Sequence, residues 1–77
     1  MALIERFVAV SGETARLHEP VDCGWRHFTV NGRTILQLDT YGRRTRQHPG
    51  KISQSIQLDR EAASVLVSLL REVFDDL

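Results

Sequence analysis

The dipeptide Asn31-Gly32 constrains this chain more than any other feature, because it sits between two β-prone runs, residues 24–30 (GWRHFTV) and 33–41 (RTILQLDTY). A two-residue hairpin loop of type I′ needs positive φ at both central positions, which Asn and Gly tolerate best. The spacing therefore predicts an antiparallel hairpin over 24–41 and fixes its register. Val30 faces Arg33, Thr29 faces Thr34, Phe28 faces Ile35, His27 faces Leu36, Arg26 faces Gln37 and Trp25 faces Leu38. Side chains alternate between the two sides of a strand. One side then carries Trp25, His27, Leu36 and Leu38 and is the expected core. The other carries Arg26, Phe28, Arg33, Ile35, Gln37 and Tyr41, an unusual mixture for a merely solvated surface.

The remaining segments extend this hairpin into a small layered domain. Apolar residues at 4–10 stop at Ser11-Gly12, and 14–18 read as a second short strand, giving N-terminal strands within 4–18. Residues 42–50 form a polar loop ending in Pro49-Gly50. Residues 51–58 alternate again, with Ile52, Gln54, Ile56 and Leu58 on one side and the polar Lys51, Ser53, Ser55 and Gln57 on the other. Asp59 is a suitable N-cap and Glu61 suits the positive end of a helix over 60–75. Its core stripe is Ala62, Leu66, Leu69, Leu70, Val73 and Leu77. A second apolar strip at Ala63, Val67 and Phe74 exceeds what one small sheet can cover, which predicts a homodimer through those three residues. The expected fold is α+β: an antiparallel sheet of four to five strands followed by one C-terminal helix.

At 77 residues the chain has room for one domain and a modest core. Cys23 is the only cysteine, so no internal disulfide can form, and a lone thiol suits a reducing compartment. No apolar run reaches the roughly 18 residues of a membrane span, and the first residues lack a signal-peptide pattern. The expected location is cytoplasmic. His18, Asp22, Cys23 and His27 lack the second ligand pair that a tetrahedral metal site needs, so neither metal nor cofactor is expected.

Formal net charge is zero, yet the charges are segregated. Residues 23–57 hold Arg26, Arg33, Arg43, Arg44, Arg46 and Lys51 against Asp39 alone, six basic groups to one acid. Residues 58–77 hold five acids against Arg60 and Arg71. Nine of the ten basic residues are arginine, whose planar fork matches phosphate. Arg43, Arg44, Arg46 and Lys51 are placed to hold phosphates in or beside the loop. Phe28 and Tyr41 are placed to stack on bases, and Arg26, Arg33, Gln37, Ser53 and Gln57 to donate hydrogen bonds along the same face. The single helix is acidic and apolar, so it offers no element for a duplex groove.

The order of these parts resembles the transcriptional coactivator family called positive cofactor four. The resemblance spans about residues 25–77. It rests on residues 28–41 (FTVNGRTILQLDTY), on Pro49-Gly50-Lys51 and on Ile56-Gln-Leu-Asp59 opening the helix. Ser55 stands where that family usually has glycine, the loop is arginine-rich where the family's is lysine-rich, and residues 1–23 have no counterpart. The resemblance implies a homodimer whose β-ribbons form a groove for single-stranded DNA, in transcription or DNA maintenance. Two other classes remain open. Tyr41, Arg43, Arg44, Arg46, His48 and Lys51 are the side-chain types of a small toxin-type ribonuclease. The surplus apolar helix surface equally suits a module that docks another protein.

Overall fold

The computed structural model describes residues 1–12, 15–42 and 51–77. Four strands and a helix follow in chain order: β1 (Ala2–Leu3), β2 (Cys23–Val30), β3 (Arg33–Tyr41), β4 (Ile52–Leu58) and α1 (Arg60–Val73). The sheet order is β1-β4-β3-β2. Asn31 and Gly32 both take positive φ, 51° and 76°, as a type I′ turn requires. Every hairpin pair expected from the two-residue loop forms, from Val30 opposite Arg33 to Trp25 opposite Leu38.

Two expectations about the sheet are corrected. The N-terminal strands anticipated within 4–18 do not form among the described residues; the chain instead contributes only Ala2–Leu3. This short strand lies parallel to β4, with Ala2 opposite Ile56 and Leu3 opposite Gln57, so the sheet is mixed and not wholly antiparallel. The Ile4 amide extends the pairing by donating to the Gln57 carbonyl at 2.9 Å. The apolar residues of 4–10 signalled β propensity, but β1 runs parallel to β4 and reaches Gln57 at Leu3, one residue before β4 ends at Leu58, so the chain passes beyond its partner strand.

The β3–β4 register contains an irregularity. Asp39 faces Ser55 and Thr40 faces Gln54, yet Tyr41 faces Ile52, so Ser53 is an extra residue on β4. A bulge of this kind turns the residues beyond it over. Ile52 consequently joins Tyr41 on the opposite side from Ile56 and Leu58, where simple alternation had grouped all three together.

The assignment of core and outer sides is also reversed. The best-buried β3 residues are Ile35, Gln37 and Asp39, and with them Ser55 of β4, all on the side of Arg26. On the other side Trp25 is 70% exposed, Ile56 and His27 are exposed, and Leu36 and Leu38 are only half-buried. Leu58 alone is buried there, and Ala62 in the first turn of α1 is buried too. The cause is the helix. Its N-cap forms as expected, with an Asp59 carboxylate oxygen accepting from the Ala62 amide at 2.9 Å. Beyond that first turn it packs against little of the sheet, touching chiefly β4, the strand it follows. Leu69, Leu70, Val73 and Leu77, expected as a core stripe, remain exposed, and Leu66 is half-buried. The Cα radius of gyration is 14.7 Å, against about 11.5 Å for a compact chain of this length. The helix ends two residues earlier than anticipated, with the Phe74 amide donating to the Leu70 carbonyl.

Candidate nucleic-acid interface

The hairpin and β4 together set two polar rows across the Arg26 side of the sheet. In the first, Arg26, Gln37 and Gln57 stand level on β2, β3 and β4; in the second, Gly24, Asp39 and Ser55 do. Directly opposed residues on antiparallel strands share a face and lie within reach of one another. Asp39 is where the rows meet. One of its carboxylate oxygens accepts from the Ser55 hydroxyl at 2.6 Å and from the Gln37 amide at 2.9 Å. The other lies 3.6 Å from the Arg26 guanidinium. The Gln57 amide in turn donates to the Gln37 side-chain carbonyl at 2.9 Å.

This arrangement accounts for a carboxylate that is only 4% exposed. Burying a charge is costly unless it is paired and hydrogen-bonded. The Ser55 hydroxyl, then the Gln37 amide, hold the Asp39 carboxyl below its ordinary value; burial opposes them and the nearby Arg26 charge assists. Asp39 is also the sole acid of residues 23–57. With it sunk beneath its neighbours, the exposed formal charges of the described part of this segment are Arg26, Arg33 and Lys51, all basic.

The residues anticipated at a binding face are placed as follows. Arg26 is exposed on β2, with its Nε side toward Asp39. Phe28 is half-buried beside Ile35. Tyr41 is half-buried with its ring over Gly24, where a Cβ would come within 2.9 Å of the phenolic oxygen; glycine is required for that close approach. Lys51 is exposed, and Ser53 is exposed at the bulge. Gln37 is buried, and both ends of its amide are engaged by the network, so it supports the face from below. Arg33 is exposed but bonded at 2.8 Å to the helix-capping Asp59, joining the hairpin turn to the start of α1. The Ala62 amide, then Arg33, lower the Asp59 pKa. Arg43, Arg44, Arg46 and His48 lie outside the described residues.

Sequence reasoning missed Asp39 and Ser55 as members of this site. The available signal was two polar i, i+2 pairs, Gln37-x-Asp39 and Ser55-x-Gln57, on strands that pair. The hairpin turn fixes β2 against β3, but a long connection and a bulge separate β3 from β4, so their register was not readable. The polar side of β4, taken as an outer surface, in fact buries Ser55 and half-buries Gln57.

Beside the rows lies a cleft of roughly 380 Å³, lined by Met1, Ala2, Leu3, Arg26, Gln37, Ile52, Ser55 and Gln57. Among the described residues no three His, Cys, Asp or Glu side chains gather as a metal site, and no helix is long and apolar enough to cross a membrane. Of the residues expected to join two subunits, Ala63 is half-buried, Val67 is 44% exposed and Phe74 is 54% exposed. Comparison of the chain with protein-family models, with curated proteins and with solved structures finds no match.

Proposed function

We propose that this chain binds single-stranded nucleic acid without strong sequence demands, and does so as a homodimer. The observation that carries the reading is the burial of Asp39. A segment with six basic groups keeps its one acid 4% exposed and hydrogen-bonded, so no carboxylate stands exposed on the Arg26 side of the sheet. Arg33 is engaged by the helix-capping Asp59, which leaves Arg26 and Lys51 as the described basic groups of the segment to meet phosphate. Phe28 and Tyr41 on the same side are half-buried rings whose remaining exposed surface is of the kind on which bases stack, each stacked base contributing about 1–3 kcal/mol. The resemblance to the positive cofactor four family supports the same ligand. Single strands suit a strand surface, and the one helix among the described residues carries acids near its end.

Dimerisation is supported by the exposed apolar surface of α1 together with Trp25 and Ile56 on the side that α1 leaves uncovered. Large exposed apolar surfaces mark interaction sites more often than scattered single residues do.

Titration of a labelled single strand of about 20 nucleotides, and of the matching duplex, at two salt concentrations tests the ligand. The single strand binds more tightly, and log K falls with log salt by about 0.7 for each phosphate engaged. Replacing Arg43, Arg44 and Arg46 together by alanine weakens binding to every sequence and flattens the salt dependence. Equal binding by that triple variant would remove the loop from the site. Cleavage of an RNA strand that is lost in His48→Ala would replace the proposal with the ribonuclease.

A further inference from the structure

The two edges of the sheet are unlike. At one, β1 covers part of β4 with two residues, and β4 is interrupted further along by the bulge at Ser53. At the other, β2 runs for eight residues with no proline, lysine or bulge, and among the described residues no strand pairs with its outer side. Its only formal charge, Arg26, lies beside Asp39. Natural sheets blunt their edges with short strands, bulges, prolines or lysines, because an unguarded edge recruits another strand. The β1 edge is guarded in this way and the β2 edge is not.

The hairpin determines which backbone groups that edge offers. Opposed residues of an antiparallel pair alternate between bonding each other through both backbone groups and turning those groups away. The two-residue turn makes Val30 and Arg33 a bonding pair, so Phe28 with Ile35, Arg26 with Gln37 and Gly24 with Asp39 bond as well. The N–H and C=O groups of Cys23, Trp25, His27 and Thr29 therefore point away from β3. Among the described residues no backbone hydrogen bond reaches them.

We infer that two copies of this chain join along the outer edge of β2, antiparallel, with His27 facing His27 of the partner subunit. The inference rests on the homodimer proposed above and gives it a contact beside that of α1. Side chains select the register. A two-fold axis at Arg26 sets two guanidinium groups directly opposite each other, which is unfavourable. An axis at Trp25 or Phe28 pairs only five residues of β2, whereas one at His27 pairs all of 24–30. Arg26 then stands opposite the partner's Phe28, a cation by an aromatic ring, and Trp25 stands opposite the partner's Thr29. The contact closes on itself, since the same edge serves both copies. Two four-stranded sheets become one, with both Arg26 residues on a single surface, diagonal to each other at about 7–8 Å.

Amide hydrogen exchange on the whole chain, at a concentration where light scattering gives the mass of two chains, reads this edge directly. The amides of Arg26, Phe28 and Val30 are bonded to β3 within one copy, while those of Trp25, His27 and Thr29 gain protection only from a second strand. The parent is expected to protect both sets. His27→Lys sets two ammonium groups across the axis, and Thr29→Pro removes one outward N–H without touching a bond to β3. Each is expected to speed exchange at Trp25 by about tenfold or more while Phe28 stays protected. A dimeric parent whose Trp25, His27 and Thr29 amides exchange as freely as those of a loop overturns the edge contact and leaves the homodimer standing. Protection of Trp25 that persists in both variants also overturns it. A parent that is monomeric at micromolar concentration overturns both readings. Should a variant fail to fold, the parent's exchange pattern decides.

Discussion

Asp39 shows how one residue can set the character of a surface. Placed on an exposed strand position, a carboxylate among six basic groups would offset part of their field and form salt bridges that exclude phosphate. Sunk beneath Ser55, Gln37 and Arg26, it orders its neighbours, and its own charge is offset by the Arg26 guanidinium beside it. Its lowered pKa has a defined consequence for stability. The folded state binds this proton more weakly than the unfolded chain, whose carboxyl titrates near 3.9. The stabilisation is therefore complete above that value and is lost as pH falls through the lower folded-state value. Thermal melting followed between pH 6 and about pH 2 should show a midpoint that holds until about pH 4 and then declines. Asp59, also lowered, contributes in the same window. A shallower acid decline in Asp39→Asn than in the parent would assign part of it to this group; identical profiles would deny it a share.

At the scale of elements, the parts governed by neighbouring residues were readable from sequence and those governed by distant ones were not. Asn31-Gly32 determines its turn locally, and the register of eight residue pairs follows from it. Asp59 likewise caps α1 within its own turn. Which side of the sheet is buried depends on where α1 goes after that first turn, a matter of tertiary packing on which the 3.6-residue apolar period is silent. The pairing of β1 with β4 joins residues more than fifty positions apart and left no trace in local pattern. Asp59 also ties two elements together, since one oxygen caps the helix while the other holds Arg33 of the hairpin. Asp59→Ala should lower the melting midpoint by a few degrees and reduce helical circular dichroism. Asp59→Asn, which keeps a capping oxygen without the charge, should restore most of the helix signal. No change in either variant would mean that the helix is held by contacts beyond its cap.

At the scale of the molecule, the described residues bury few apolar side chains. Ile35, Leu58 and Ala62 are the buried hydrophobic residues, while Val67, Val73, Phe74, Leu77 and Trp25 stay exposed. A chain of this size with so small an interior gains from a second subunit more than from any internal refinement. The dimer proposal therefore predicts a melting temperature that rises with protein concentration. It also predicts that Val67→Ser with Phe74→Ser shifts the mass measured by light scattering from two chains to one and lowers stability by about 2 kcal/mol or more. A parent chain that is monomeric at micromolar concentration would leave the helix strip for some other protein.

The outward-running helix has one more consequence if pairing is what covers it. Assembly would then finish the folding of each copy, and the copy number in the cell would decide how much of the chain is competent at all. Scarcity would silence the protein without any inhibitor, and abundance would switch it on.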